Sequence, residues 1–390
     1  GEAPPTRKSP VTDVYHGEEV VDPYRWLEGS DAPEIEEASE ELDAEVSEWI
    51  DAQNGYTRNV LDSLPGREQV AARIRELMEV GSIGAPTMRG NRYFYSKREG
   101  KQAQPILYYR EGVKGEERLL IDPVEVDPEG LTSLDWKAPN EDGTLLAFGL
   151  SKAGDENSIL YVMDVDSREW LADEIPGKVG GVDWLDSSQG FFYRCLEDVK
   201  NPYSAQIKYH KLGTHHRQDK LIFEQYKEGP LATTWGPSAN FSRDGRWMVL
   251  SYWTGTDSND LWVVDMDKWF RTGELVKTDL IVGEKCKSYG IFSGDHYLLH
   301  TTYQAPNARV VKVNLHQPGI EHWQEIIPER KDAVLDDISL ARGMIVGDYL
   351  KDAQSLFEKF DLDGNSLGEI PLPGIGSAGV VTHDDRTEGF

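Results

Sequence analysis

Cysteine is nearly missing from this chain: Cys195 and Cys286 make neither a disulfide framework nor the paired spacing of a metal site. Cys195 falls inside a run of strand type, where a small apolar filler is expected. Positive charge is also short. Against 69 acidic side chains stand 41 basic ones, a formal net charge of −28, and a field of that sign repels phosphate backbones and anionic head groups, so neither nucleic acid nor a membrane surface is expected as a partner. No apolar stretch approaches the length that spans a bilayer, and the N-terminus lacks the basic-then-apolar pattern of an export signal. Because the chain starts at Gly1, removal of such a signal stays open; the reading is a soluble protein of cytoplasm or periplasm.

The signatures of self-contained catalysis are missing as well. Gly-x-Ser-x-Gly does not occur; Gly149-Leu150-Ser151-Lys152-Ala153-Gly154 has the wrong spacing and lies at a strand end rather than between strand and helix. There is no His-Glu-x-x-His pair, no phosphate-cradling glycine loop and no dinucleotide fingerprint. His215-His216 lies in a Gly/Thr loop without the Cys or carboxylate company of a metal clip. Asp361-x-Asp363-Gly364-Asn365 has its glycine too early for a calcium loop and no closing acid, so it reads as a hairpin turn. Asn240-Phe241-Ser242 matches a glycosylation acceptor only formally, since it runs straight into a turn. No catalytic residue, metal ligand or cofactor is assigned.

What is present is a repeat. Six apolar first runs begin at Tyr93, Leu145, Phe191, Trp247, Tyr297 and Met344, each followed about a dozen residues later by a second run beginning at Leu107, Leu160, Ile207, Leu261, Val310 and Leu356. Subtracting the first-run positions gives spacings of 52, 46, 56, 50 and 47, the period of multi-stranded propeller blades rather than of helical repeats. Third runs (Leu119-Leu120-Ile121, Leu221-Ile222-Phe223, Leu280-Ile281-Val282, Ile326-Ile327) and lead-in segments such as Gly181-Val182-Asp183-Trp184 complete four strands per unit. Glu141-Asp142-Gly143, Arg243-Asp244-Gly245 and Asp361-Leu362-Asp363-Gly364 supply hairpin turns. The figure restarts at 376–381, turns at 383–386 and stops at Gly389-Phe390, so a seventh blade is expected to be cut short.

Residues 1–75 differ in kind. Pro4-Pro5, Pro10 and Asp22-Pro23 suggest an extended arm. A helix is expected over 33–59, capped by Ser30 or Asp31, with Ile35, Leu42, Val46, Trp49, Ile50 and Gln53 at near-helical spacing. A second is expected over 67–80, with Val70, Ile74, Leu77 and Met78 on one face. Two such helices need a partner to bury those faces, expected in a second domain beyond Phe390 or on another chain.

A colinear series of motifs resembles the prolyl oligopeptidase family of serine peptidases. It opens with Val14-Tyr15-His16-Gly17 and Val21-Asp22-Pro23-Tyr24-Arg25-Trp26-Leu27-Glu28, continues through Trp49-Ile50-Asp51-Ala52-Gln53-Asn54, Leu64-Pro65-Gly66-Arg67 and Tyr209-His210-Lys211-Leu212-Gly213-Thr214, and reaches Leu372-Pro373-Gly374-Ile375-Gly376-Ser377. The resemblance covers essentially the whole chain. It implies a mainly β fold: a seven-bladed β-propeller over 76–390, incomplete at its C-terminal end, preceded by an arm and two helices (1–75) belonging to an α/β-hydrolase domain. It further implies a substrate-gating role in a proline-specific serine endopeptidase that cuts short peptides after proline, with the triad beyond Phe390, no cofactor and a monomeric state. By alignment with the family's substrate-lining segments, Val179, Gly236, Trp253 and Thr256 are the expected substrate-binding positions, Val179 standing where relatives often carry an aromatic side chain. The competing readings are an oligopeptidase of the same superfamily that cuts after basic residues, and a catalytically silent propeller serving as a protein-binding platform.

Overall fold

The computed structural model describes residues 2–31 and 40–382. The chain divides into two compact units, Gly1–Val80 and Gly81–Phe390, so the division falls at the end of a helix rather than at residue 75.

In the first unit the strands Val11–Tyr15 and Glu18–Asp22 pair antiparallel through a two-residue turn. Its residues His16 and Gly17 have φ of 52° and 87°, the handedness a two-residue hairpin requires. Helix α1 spans Glu40–Asp62 and α2 spans Arg67–Met78. The expected start of the first helix at 33 lies outside the described residues. Ser30, the expected cap, instead meets the helix one turn in, where its amide and hydroxyl both donate to the Asp43 carboxylate at 2.7 Å. Three side chains strap the N-terminal arm to the front of α1: Trp49 Nε1 donates to Thr6 Oγ1 (2.9 Å), Gln53 Nε2 to the Pro4 carbonyl (2.9 Å), and Arg7 pairs with Glu45 (2.7 Å) while lying over the Trp26 ring. Gln53, counted as part of the apolar face, is therefore a polar anchor. Trp26 and Leu42 are buried, but Ile50 on α1 and Val70, Ile74 and Leu77 on α2 are exposed.

The second unit is built of six antiparallel sheets in chain order, over 82–121, 132–175, 182–224, 237–281, 288–327 and 334–370. Five have four strands in sequence order; the first has five, because Ser82–Ile83 and Thr87–Arg89 both pair with Arg92–Arg98. In the second, third, fifth and sixth sheets the second strand carries the apolar first run of the repeat and is the most deeply buried of its sheet, as expected of a strand covered on both faces. Every sheet has a register shift between its last two strands, the local over-twisting that propeller blades show as they fan outward. Five apolar clusters fill the seams between consecutive sheets: Phe94 and Phe148 at the first, Val162 and Phe191 at the second, Phe192 and Met248 at the third, Val249 and Tyr297 at the fourth, Leu298 and Ile345 at the fifth.

Among the described residues six blades are present, not seven. After Ser366–Ile370 the described chain carries no strand through residue 382. Pro371, Pro373, Gly374, Gly376 and Gly379 crowd that stretch, and residues of those types cannot sustain a ladder. The position expected to start a seventh blade, 389–390, lies outside the described residues. The hairpin readings hold: Asp142, Asp244 and Asp361 each accept backbone amides of their own turns, from Thr144, Arg246 and Asn365 in turn.

Candidate functional site

The first strand of each blade is its inner edge, and alternation along these short strands decides which side chains reach the middle. Pro237–Phe241, Ser288–Ser293 and Val334–Ala341 surround a cavity of about 460 Å³. It shares Ser238, Ala239 and Asn240 with a second cavity of about 310 Å³, which shares Val182, Asp183 and Phe241 with a third of about 190 Å³. Through these shared residues the three adjoin as a passage along the inner strands, the last of them reaching Ala138 and Pro139 of the second blade and Arg89 of the first.

Trp253 lines the first cavity, with the Lys287 ammonium over its ring at 5.5 Å from the centroid. Asn259 fixes the floor by accepting from the Ser288 amide and donating to the Ser288 carbonyl and Ser251 Oγ, all at 2.8 Å. Opposite stand Tyr289, Asp336 and Asp337. The Tyr289 ring stacks on His300 at 4.5 Å, and its hydroxyl donates to the Asp336 carbonyl. His300 donates from Nε2 to the Leu335 carbonyl at 2.6 Å. That bond fixes the proton on Nε2, and burial pushes the imidazole below its ordinary value. Asp348 lies directly across the strand pair from Asp337; burial first, then the charges of Asp336 and Asp337, push its carboxyl up to about 6.

At the waist of the passage Asp183 is exposed, but on the passage wall, with blades around it. Water reaches it without solvating it as bulk solvent would, and this poor solvation pushes its carboxyl up to about 7, against the opposing pull of the Phe241 amide. Asn240, the formal glycosylation acceptor, has its amide engaged by Tyr297 Oη (2.9 Å) and the Gly290 carbonyl (3.2 Å). Arg194 ties the third blade to the fourth by donating to the Pro237 and Trp235 carbonyls at 2.8 and 2.9 Å.

Of the four substrate-binding positions expected from sequence, the structure brings two together. The Gly236 carbonyl accepts the Trp253 amide at 3.0 Å, so one backbone bond sets where the indole stands. Thr256 is exposed in the turn beyond Trp253 and is not among the lining residues of the cavity. Val179 is fully buried in the cluster between the second and third blades, and its carbonyl accepts Trp136 Nε1 at 2.7 Å; its side chain faces the seam, not the passage. Sequence reasoning missed Lys287, Tyr289, Asp336 and Asp337, and it did not single out Asp183 and Asn240 although both lie in the substrate-lining segments 177–184 and 235–242. One signal was available, because consecutive aspartates at 336–337 inside a strand go against strand preference.

A second cluster of chemistry-bearing residues is structural. His210 is wholly buried, with Nδ1 2.6 Å from Asp219 and Nε2 2.6 Å from Asp173. Two carboxylates outweigh burial and raise the imidazole to about 9, so it stays an imidazolium. Tyr193 Oη donates to Asp219 and the Gly213 amide to Asp173, joining the second blade to the third. His215 accepts the Arg217 amide as a cap, and among the described residues no three His, Cys, Asp or Glu side chains group as metal ligands. No described helix is long and apolar enough to cross a membrane.

Comparison with known proteins matches residues 4–390 to the family model described as the prolyl oligopeptidase N-terminal β-propeller domain. The prolyl endopeptidase of Elizabethkingia miricola is 30% identical over 96% of this chain and 51% of its own length. The dual function macrocyclase-peptidase POPB of Amanita bisporigera is 25% identical over 99% of this chain and 56% of its own. A solved structure from a study of two prolyl endopeptidases and their inter-domain dynamics superposes with a TM-score of 0.86 at 32% identity, covering 98% of this chain and 55% of that one. Prolyl oligopeptidase B of Galerina marginata, bound to a 35-residue hydrolysis and macrocyclization substrate, shares the fold at a TM-score of 0.82 and 24% identity, covering 96% of this chain and 54% of that one. The chain thus spans about half the length of the relatives it matches.

Proposed function

The chain belongs to the prolyl oligopeptidase family, as its N-terminal β-propeller portion, and from that membership we propose that it is the gating half of a serine endopeptidase that hydrolyses short peptides on the carboxyl side of proline. The observation that carries this reading is a propeller whose inner strands line adjoining cavities, joined to an N-terminal unit whose helices expose Ile50, Val70, Ile74 and Leu77. In the full-length protein those faces pack against an α/β-hydrolase portion that follows residue 390 and carries the Ser, His and Asp of the reaction. There the serine hydroxyl gives its proton to the histidine and attacks the proline carbonyl, and the peptide C–N bond breaks as the histidine passes that proton to the departing amine. Preorganised donors hold the developing oxyanion, and water then releases the acyl group.

The propeller selects by size: cavities of about 460, 310 and 190 Å³ admit a flexible peptide and exclude a folded domain. Trp253 faces the bound peptide, and Gly236 sets the height of the indole. No cofactor enters this chemistry. The test is a fluorophosphonate probe with paired proline and arginine reporter peptides. The full-length protein is expected to be labelled and to release product after proline, whereas residues 1–390 alone do neither. Release after arginine alone, or no labelling of the full-length protein, would overturn the reading.

A further inference from the structure

The inner strands of the second and sixth blades share an irregularity. In each, one extra residue bulges between the first and second strands, Asp135 in one and Asp336 in the other. In the second blade the bulged acid is accounted for by folding: its two oxygens accept the hydroxyls of Ser151 and Ser158. The next residue, Trp136, packs where Gly149 leaves room opposite it. In the sixth blade the same framework is filled with acids, of which Asp337 accepts the Ile338 amide at 2.8 Å and no serine hydroxyl among the described residues takes up Asp336. Leu350 takes the place of Ser151, Asp337 takes that of Trp136, and Asp348 takes that of Gly149, so two carboxylates stand directly opposite each other, an arrangement that costs stability.

No lysine or arginine among the described residues pairs with Asp336, Asp337 or Asp348, although neighbouring Asp332 is held by Arg330 and Lys351 at 3.0 and 3.1 Å. The bulge is clamped by Tyr289 and His300 at the Asp336 and Leu335 carbonyls, which fixes where the acids stand. Asp336 and Asp337 face the cavity of about 460 Å³ that Trp253 also lines; Lys287, whose ammonium stands 5.5 Å from the centroid of that ring, is the one basic residue among the described lining residues and opposes a second cation, so the two carboxylates set the net sign of the wall.

We propose that this cavity is a specificity subsite for a positively charged group of the peptide, a lysine or arginine side chain or a free N-terminal ammonium upstream of the cleaved proline, received between the Asp336 and Asp337 carboxylates and the Trp253 face. The proposal rests on the peptidase reading above and names the substrate class that reading leaves open. Charge complementarity of this kind sets specificity by rewarding one sign and rejecting the other.

The test uses the full-length protein and a peptide series ending in the same proline reporter. Lysine, norleucine or glutamate is placed in turn at the second to fifth positions upstream of the proline. Lysine is expected to exceed norleucine in kcat/KM by about tenfold at one or more of these positions, with glutamate below both. The Asp336→Asn/Asp337→Asn variant is expected to bring the lysine-to-norleucine ratio near one, and Asp336→Glu/Asp337→Glu to restore it. Should the double variant fail to fold, Asp336→Asn and Trp253→Leu read the same ratio singly. Fluorescence-polarisation titration of dye-labelled lysine and norleucine peptides reports the preference without turnover. A protein that binds the lysine peptide preferentially but cleaves none of the series would therefore sink the peptidase reading and leave the subsite standing. Equal ratios in wild type and variants would overturn the subsite.

Discussion

Gly236 has φ of +70°, and a Cβ there would come within 2.0 Å of the Gln225 amide oxygen. Gln225 is buried and pinned by its bond to the Thr234 carbonyl at 2.7 Å, so it has nowhere to go. Gly236→Ala is expected to cost at least about 2 kcal/mol, from the left-handed backbone and the collision together, read as a lower denaturation midpoint. Val179 is sealed between blades, and Val179→Phe is expected to cost about 1–3 kcal/mol by overpacking; an unchanged midpoint would mean that the side chain has open space after all. His210 gives a pH signature. Its folded value of about 9 lies above the ordinary histidine value of about 6.5, so the folded state binds the proton more tightly. The resulting stabilisation, on the order of 3 kcal/mol, is complete below pH about 6.5 and is lost as pH rises through about 9. The Asp173 carboxyl, pulled below its ordinary value by His210 and the Gly213 amide against the opposing effect of burial, works in the other direction: its share holds above the ordinary aspartate range and fades on acidification. Urea titrations at pH 6 and pH 9.5 should show the alkaline loss in the wild type. It should be absent in His210→Gln, which is itself destabilised by about 3–5 kcal/mol because two carboxylates remain buried without their cation.

At the level of elements, much of the structure was legible because period and burial agree. The runs at Leu145, Phe191, Trp247, Tyr297 and Met344 all lie within or begin the second strand of a blade, where apolar residues are covered on both faces. What escaped was of another kind. The bulges at Asp135 and Asp336 depend on one residue of register, which propensity does not encode, and the passage lining depends on alternation along inner strands of three to eight residues. His210 was passed over because its partners Asp173 and Asp219 come from different strands and loops, and nothing local marks their convergence. The helices were legible as amphipathic, but what covers them was not. Ile74→Asp/Leu77→Asp in α2 puts that to the test. With both residues exposed, the melting of the 390-residue chain should change by no more than about 0.5 kcal/mol. In the full-length protein the loss should be about 2 kcal/mol or more, from charge forced into a packed face. Equal small effects in both would show that the α2 face stays bare.

Across the whole molecule, the field of 69 acidic and 41 basic side chains and the local wall at Asp336 and Asp337 both favour cationic peptides, yet they act over different distances. The net charge of −28 works through solvent; its reach is about 30 Å at 0.01 M salt and about 3 Å at 1 M. It speeds the arrival of every cationic peptide regardless of where its charge sits. The cavity wall acts at contact, over a distance no longer than the screening length even at about 1 M salt. Raising salt from about 0.01 M to about 1 M should therefore lower kcat/KM for all lysine peptides of the series and leave the norleucine peptides nearly level. The lysine position that seats its charge in the cavity should keep a residual preference at high salt, whereas the other positions lose theirs. In the Asp336→Asn/Asp337→Asn variant the general salt slope should persist, since 67 acidic side chains remain after two of the 69 are neutralised, while the position-dependent residue at 1 M disappears. A wild-type preference that vanishes at every position in high salt would assign all of the selectivity to the long-range field and none to the cavity.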